Sequence, residues 1–365
     1  MQRQDLRSSY LDLTPDPDIV DDLLAHASDE QVAALPRLGL AVIGPEAFGL
    51  GVAGNLAQRL AADGLRIVGM QARWLTEDDT AAMFVPGWLP ERFRWWMIQR
   101  RWTSGHSAAL LVSPDDTTEA GATLSANKGY RIPTEASPGT WRGDFPSING
   151  VLDLLHTADS PAHVLRNAWP FFTSAQLCAA ADAVTAGTAL SPGQVADDLR
   201  AWEQPGQCRP FELVYLQLLH RLLAQADGTA AADLRADLSA SARVIGADHC
   251  LRTEHSREPK PPARALAKVN DLTERSTGRL ASPLIPAWGP QLRSVITRVA
   301  EYARTTPGTS AWLDPLTDLP GARHRQWDRI IAALQAERLV ANDWDALILL
   351  TTLYYTDQEL VHLLP

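Results

Sequence analysis

A histidine, His156, stands at the end of an apolar run, and an arginine, Arg142, stands in the loop that leads into it. The stretch Pro138–Ser160 reads PGTWRGDF, a two-residue gap, then INGVLDLLHTADS, and Ser160-Pro161 directly after it has the form of a helix start. A histidine at a strand end beside an arginine-bearing loop suits phosphoryl chemistry. An imidazole nitrogen can attack phosphorus, and a guanidinium can hold the phosphate oxygens through paired hydrogen bonds.

Other chemistry-bearing patterns are weaker. Gly49, Gly51 and Gly54 spell GxGxxG after a strand, but Pro45-Glu46-Ala47-Phe48 separates them from the strand end, and the second strand ends at Gln71-Ala72-Arg73 without an acid. A nicotinamide cofactor is not expected on that basis. Arg92, Arg94, Arg100 and Arg101 alternate with Trp95, Trp96 and Trp102. Such a segment either stacks a base and holds phosphates, or packs its tryptophans inward and turns its arginines to water. His249, Cys250 and His255 are close in sequence but lack the spacing and number of a zinc set, so no metal ligands are assigned.

The elements that must position His156 and Arg142 follow from hydrophobic patterning. Strands are expected at Leu38–Ile43, Leu65–Trp74, Ala108–Ser113 and Ile148–Leu155. Helices are expected at about Gly49–Asp63, Leu89–Trp102, Thr117–Asn127 and Ala162–Phe171. That order is βαββαβ, an α+β, ferredoxin-like antiparallel sheet with helices on one face. Residues 1–36 read as a helical N-terminal extension. After Thr173 strand signals nearly vanish and amphipathic stretches follow: Pro192–Trp202, Phe211–Ala224, Ala230–Ala247, Pro290–Tyr302, His324–Val340 and Asp343–Tyr355. A last helix is expected to begin with a capping box at Thr356. Three domains are therefore expected: 1–36, 37–173 and an all-α region at 174–365, with a Pro-rich linker at 256–263.

Residues 37–173 resemble the nucleoside diphosphate kinase family. Leu40–Gly54, LAVIGPEAFGLGVAG, is similar to its opening strand and loop; Arg59–Gly69, RLAADGLRIVG, to its first helix and second strand; Thr103–Ala109, TSGHSAA, to its Ser-Gly strand start. The resemblance implies that His156 is the phosphate-accepting histidine, becoming phosphohistidine or acting as a base, and that Arg142 and Arg92 clamp phosphates. It implies ATP or another nucleotide as ligand, with Mg²⁺ brought by the nucleotide. Several positions depart from the family: Gly44 stands where it has a lysine, Ser125 where it has a second arginine, and Arg131 where it has a threonine. Asp153 replaces an asparagine before the histidine, Thr157 and Ala158 replace a glycine and a serine after it, and Asn167 replaces the glutamate that orients it. The family's tyrosine near the histidine has no counterpart among Phe84, Val85 and Pro86.

These departures imply a rebuilt site. Arg142, Arg92 and Arg131 are expected to hold a phosphate-bearing ligand, with Asn167 and Asp153 orienting His156. The leading expectation is a divergent phosphotransferase acting on a nucleotide or other phosphorylated small molecule, distinct from a housekeeping nucleoside diphosphate kinase. The alternatives are a catalytically degenerate nucleotide-binding or scaffold protein working through its C-terminal helices, and a specialised-metabolism enzyme with a repurposed pocket. The chain has 365 residues, a formal net charge of -10 and three cysteines. The charge argues against nucleic acid as a partner, and the sparse, odd cysteines point to a reducing compartment. No apolar run reaches the ~18 residues of a membrane span. A bacterial, cytoplasmic protein is expected, with a homo-oligomer or a protein partner formed through the C-terminal helices.

Overall fold

The computed structural model describes residues 2–13, 17–84, 95–115, 120–256, 289–306, 311–322, 325–355, 360 and 363. The N-terminal extension forms α1 (Arg3–Leu11), α2 (Asp18–His26) and α3 (Asp29–Ala34), then a 3-10 turn at Leu35–Arg37. Ser28 caps α3 by accepting from the Gln31 amide, a reciprocal box that satisfies two amides a helix start would leave orphaned. Leu6, Tyr10, Val20, Leu23 and Val32 turn inward and are buried.

β1 (Gly39–Ile43) is buried at all five residues. Two helices follow it, α4 (Pro45–Leu50) and α5 (Ala53–Ala62), where the sequence suggested one. Gly51 takes φ 72°, a left-handed conformation that closes α4, and the chain restarts at Ala53. Gly54 then lets α5 approach a later helix: a Cβ there would lie 2.6 Å from the Ala196 carbonyl. The GxGxxG spelling is accounted for by a helix cap and a helix crossing. β2 (Leu65–Trp74), α6 (Glu77–Met83), α7 (Trp95–Trp102), β3 (His106–Pro114), α8 (Ala120–Lys128) and the short α9 (Trp141–Asp144) come next. β4 (Leu155–Thr157) and α10 (Pro161–Ala168) complete the βαββαβ order.

The sheet has the order β2-β3-β1-β4 with every neighbouring pair antiparallel. Period-two alternation divides its side chains between two cores. Ala41, Ile43, Ala108, Leu110 and Val112 share one with Leu56, Leu60 and Leu124. Leu40, Val42, Ala109 and Leu111 share the other with the N-terminal helices and α10. The face the sequence pattern left bare is thus covered by the extension, joined by α11 (Ser174–Ala186), which packs on α2, α3 and β2.

β4 is shorter and later than expected. Residues 148–154 are bends and irregular backbone, and Leu154 has φ 75°. Asn149 builds the turn, its Oδ1 accepting from the Val151 and Leu152 amides. Val151, Leu152 and Leu154 each enter a different core, so the run is apolar without alternating between two sheet faces.

The helical half continues with α12 (Pro192–Arg200), α13 (Phe211–Leu223), α14 (Thr229–His255), α15 (Gly289–Thr305), α16 (Leu313–Thr317), α17 (Trp327–Ala336) and α18 (Asp343–Leu353). α12 packs on α5 and β2, while α13 and later helices enclose a third core around Tyr215, Trp327 and Leu349. The expected linker beyond Ser256 and the expected cap at Thr356 lie outside the described residues.

Candidate functional site

His156 is held at the middle of β4, opposite Val42 of β1. Ser160 caps α10 by accepting from the His163 amide, and Pro161 supplies the preset first turn, which fixes where α10 starts and which residues it turns inward. Asn167 is one of these. Its Nδ2 donates to the Met83 carbonyl at 2.6 Å, so its Oδ1 faces His156 Nε2 at 2.9 Å. Nε2 must then carry the proton and Nδ1 the lone pair. Burial pushes the imidazole pKa down to about 4, against the Asn167 bond, which raises it, and Lys128, which lowers it further. The ring is neutral at physiological pH and its Nδ1 is hydrogen-bonded to no described residue. Phe84 meets it edge-on, centroids 5.0 Å apart.

Arg142 lies on α9, which Thr140 caps through the Gly143 amide. Its donors point inward: Nε to the Asp153 carbonyl at 3.2 Å, Nη1 to Gly129 at 3.3 Å, Nη2 to the Leu155 carbonyl at 2.7 Å. Nη2 also pairs with the Asp153 carboxylate. The other Asp153 oxygen lies 2.8 Å from Arg101 Nη2. Arg101 in turn grips Glu46, Nη2 to Oε1 at 2.5 Å and Nε to Oε2 at 3.2 Å. Glu46 is fully buried, and its Oε1 also accepts from the Leu154 amide at 2.8 Å. Burial alone would lower the Arg101 pKa, but Glu46 and Asp153 outweigh it and raise it. Two guanidiniums and two carboxylates thus neutralise one another, each no more than 8% exposed.

Gly44 takes its meaning from this cluster. A Cβ there would meet the Glu46 carboxylate at 2.8 Å and Arg101 Nη2 at 2.9 Å. The guanidinium of Arg101 therefore occupies the space that a side chain at position 44 would enter. A charge from α7 stands where the resemblance puts a lysine.

Of the residues singled out from sequence, His156, Asn167, Asp153 and Arg142 come together. Arg131 is half-buried and near enough for its charge to depress the Arg142 pKa, an influence smaller than burial. Arg92 lies outside the described residues. Three participants were missed. Glu46 was visible only as an acid after Pro45. Arg101 neither faces water nor waits for a base, since it is buried with its guanidinium 4.6 Å from the Trp102 ring. Lys128, at the end of α8, donates to Thr157 Oγ1 at 2.8 Å and lies 3.7 Å from Asp159; burial lowers its pKa, with Asp159 opposing.

The cavity these groups enclose is about 60 Å³, lined by Phe84, Ile98, Trp102 and Leu155 as well as Arg101, Arg142, Asp153 and His156. Pockets for nucleotide-sized ligands run to several hundred Å³, roughly 300 or more. That cavity alone is smaller than a nucleotide-sized pocket, and among the described residues no three His, Cys, Asp or Glu side chains could hold a metal. No described helix is long and apolar enough to cross a membrane.

No protein-family model matches the chain. Over 121 residues it is 31% identical to a nucleoside diphosphate kinase of Macrococcus caseolyticus, a match covering 33% of this chain and 78% of the relative. Over 136 residues it is 32% identical to one from Moorella thermoacetica, covering 37% of this chain and 94% of the relative. A solved nucleoside-diphosphate kinase of Borrelia burgdorferi, described as a transition state mimic with bound vanadate and ADP, is 18% identical, with 37% of this chain and 86% of that chain covered and a TM-score of 0.34. By the sequence relatives, the chain belongs to the nucleoside diphosphate kinase family, through a stretch that takes up little more than a third of its length.

Proposed function

We propose that the kinase-like domain is a catalytically silent member of its family, serving as a structural module on which the C-terminal helices are mounted. The observation that carries this is Asp153, whose carboxylate engages both Arg101 and Arg142 inside the protein. It supplies internally the negative charge that a phosphate would bring. A phosphate seated on Arg142 would have to displace the buried Asp153 carboxylate from that guanidinium and leave it with Arg101 as its remaining partner. Breaking such a pair costs about 3–5 kcal/mol. That cost falls on every state with phosphate bound, so it weakens binding and leaves less interaction for a transition state.

One observation favours a second reading, a phosphotransferase acting on a small phosphorylated compound. The neutral His156, with Nε2–H tied to Asn167, keeps its Nδ1 lone pair available. The nucleophile is intact in form, whereas the anion site beside it is taken.

Calorimetric titration with ADP and Mg²⁺ separates the two. The wild-type protein is expected to give no saturable heat. Asp153→Asn removes the competing charge: it should lower stability by about 3 kcal/mol and make the melting temperature rise with added pyrophosphate, a response absent from the wild type. Saturable ADP binding by the wild type that Arg142→Ala abolishes would support the phosphotransferase instead.

A further inference from the structure

A second cavity, of about 500 Å³, shares no lining residue with the one at His156. We propose that it is a carbohydrate-binding site, taking a neutral sugar of one or two rings between the sheet edge and the C-terminal helices. The two cavities are lined by different residues, so a ligand here does not depend on whether the kinase-like site turns over.

Its wall is aromatic. Trp74 and Trp202 are 54% and 48% exposed, and they are the only exposed tryptophans among the described residues. Each of these indoles packs against His106. Trp74 ends β2 opposite His106, and its Nε1 donates to the Thr103 carbonyl at 2.8 Å. His106 meets Trp74 edge-on at 5.4 Å and Trp202 at 4.4 Å, tilted by 41°. The loop carrying Trp202 is stapled to α4: the Gln204 amide donates to the Phe48 carbonyl at 3.0 Å, and the Gly206 and Cys208 amides to that of Gly49 at 3.0 and 3.2 Å. Holding such rings in place before binding removes much of the ordering cost of association.

The polar groups fit a neutral, hydroxyl-rich ligand. Gln204 and Gln207 line one side, and Arg100 and Asp343 another. Arg100 Nη2 and Asp343 Oδ1 lie 3.7 Å apart, so their charges answer each other and the pocket favours neither an anion nor a cation. Planar amide, carboxylate and guanidinium groups hydrogen-bond neighbouring hydroxyls in pairs. A flat aromatic base suits the site less well. His106 already fills the space between Trp74 and Trp202, and the ring tilts leave no pair of parallel faces to slide between. What remains is one-sided indole faces, against which the C–H face of a sugar ring packs.

The test uses the full chain and its own tryptophan emission, with calorimetry alongside. Glucose, galactose, N-acetylglucosamine, maltose and cellobiose are titrated, with adenosine as the flat aromatic comparison. Because both indoles are half-exposed, Trp74→Ala and Trp202→Ala should fold, which circular dichroism and melting would verify. The expected result is saturable binding of at least one saccharide, weakened roughly tenfold or more in each variant. The assignment is overturned by no saturable binding to any of the five saccharides, by binding that both variants retain, or by saturable binding of adenosine alone.

Discussion

His156 and its neighbours show what a neutral partner does to a buried imidazole. The imidazole keeps a partner that fixes its tautomer, although Asn167 is a weaker acceptor than a carboxylate. A neutral partner cannot offset burial, and the imidazole pKa therefore falls from 6.5 to about 4. The sign of the consequence follows from proton counting. Between those two values the unfolded chain binds more protons than the folded one, so His156 makes stability fall as pH drops through that window. Its contribution is fully present above the ordinary value. An NMR titration of the His156 ring should give a midpoint near 4, and stability measured by denaturant should fall more between about pH 7 and about pH 5 in the wild type than in His156→Gln. A midpoint near 6.5 would mean the ring is solvated.

At the scale of elements, the segment between α9 and β4 decides the site. Asn149 is fully buried, and besides closing its own turn it donates to Thr351 and Thr352 of α18, both at 2.9 Å. The segment that sets Asp153 and Leu154 is therefore tied to the helical half. Asn149→Ala would leave the Val151 and Leu152 amides without their acceptor and two hydroxyls without their donor. It should cost about 2–3 kcal/mol in denaturant unfolding, and a change within a few tenths would show the tie to be inert. The sequence made the strands β1 to β3 and most C-terminal helices legible, because their periodicity is local. It did not show that 148–154 are irregular, since VLDLL reads as a strand although Val151, Leu152 and Leu154 enter three different cores. The helix break at Gly51 escaped for a related reason: nothing within that stretch of sequence says which glycine takes a positive φ.

Across the whole molecule, two cores lie on the two faces of the sheet and a third lies among the C-terminal helices. α11 and α12 follow the kinase-like stretch in sequence yet pack directly on that sheet, and Val195, Leu199 and Cys208 share its core with Leu56. Arg209 reaches Asp345 of α18 at 2.6 Å, adding a charged link between the start of the helical half and its end. The aromatic cavity draws on β2, β3, the loop after α12 and the start of α18, so it exists only because the halves are joined. His156 and Arg142 could be picked out as a pair from sequence spacing. That Arg142 would be answered from within could not, because the carboxylates doing so come from positions 46 and 153 and meet through Arg101, whose burial depends on the packing of α7.

Incubation with γ-labelled ATP and Mg²⁺, alongside His156→Ala, tests most directly the proposal that Asp153 answers Arg142 in place of a phosphate. The wild type is expected to carry no acid-labile, base-stable label above that of His156→Ala. Label on His156 of the wild-type protein would contradict the silent reading and show that phosphate reaches the imidazole despite Asp153.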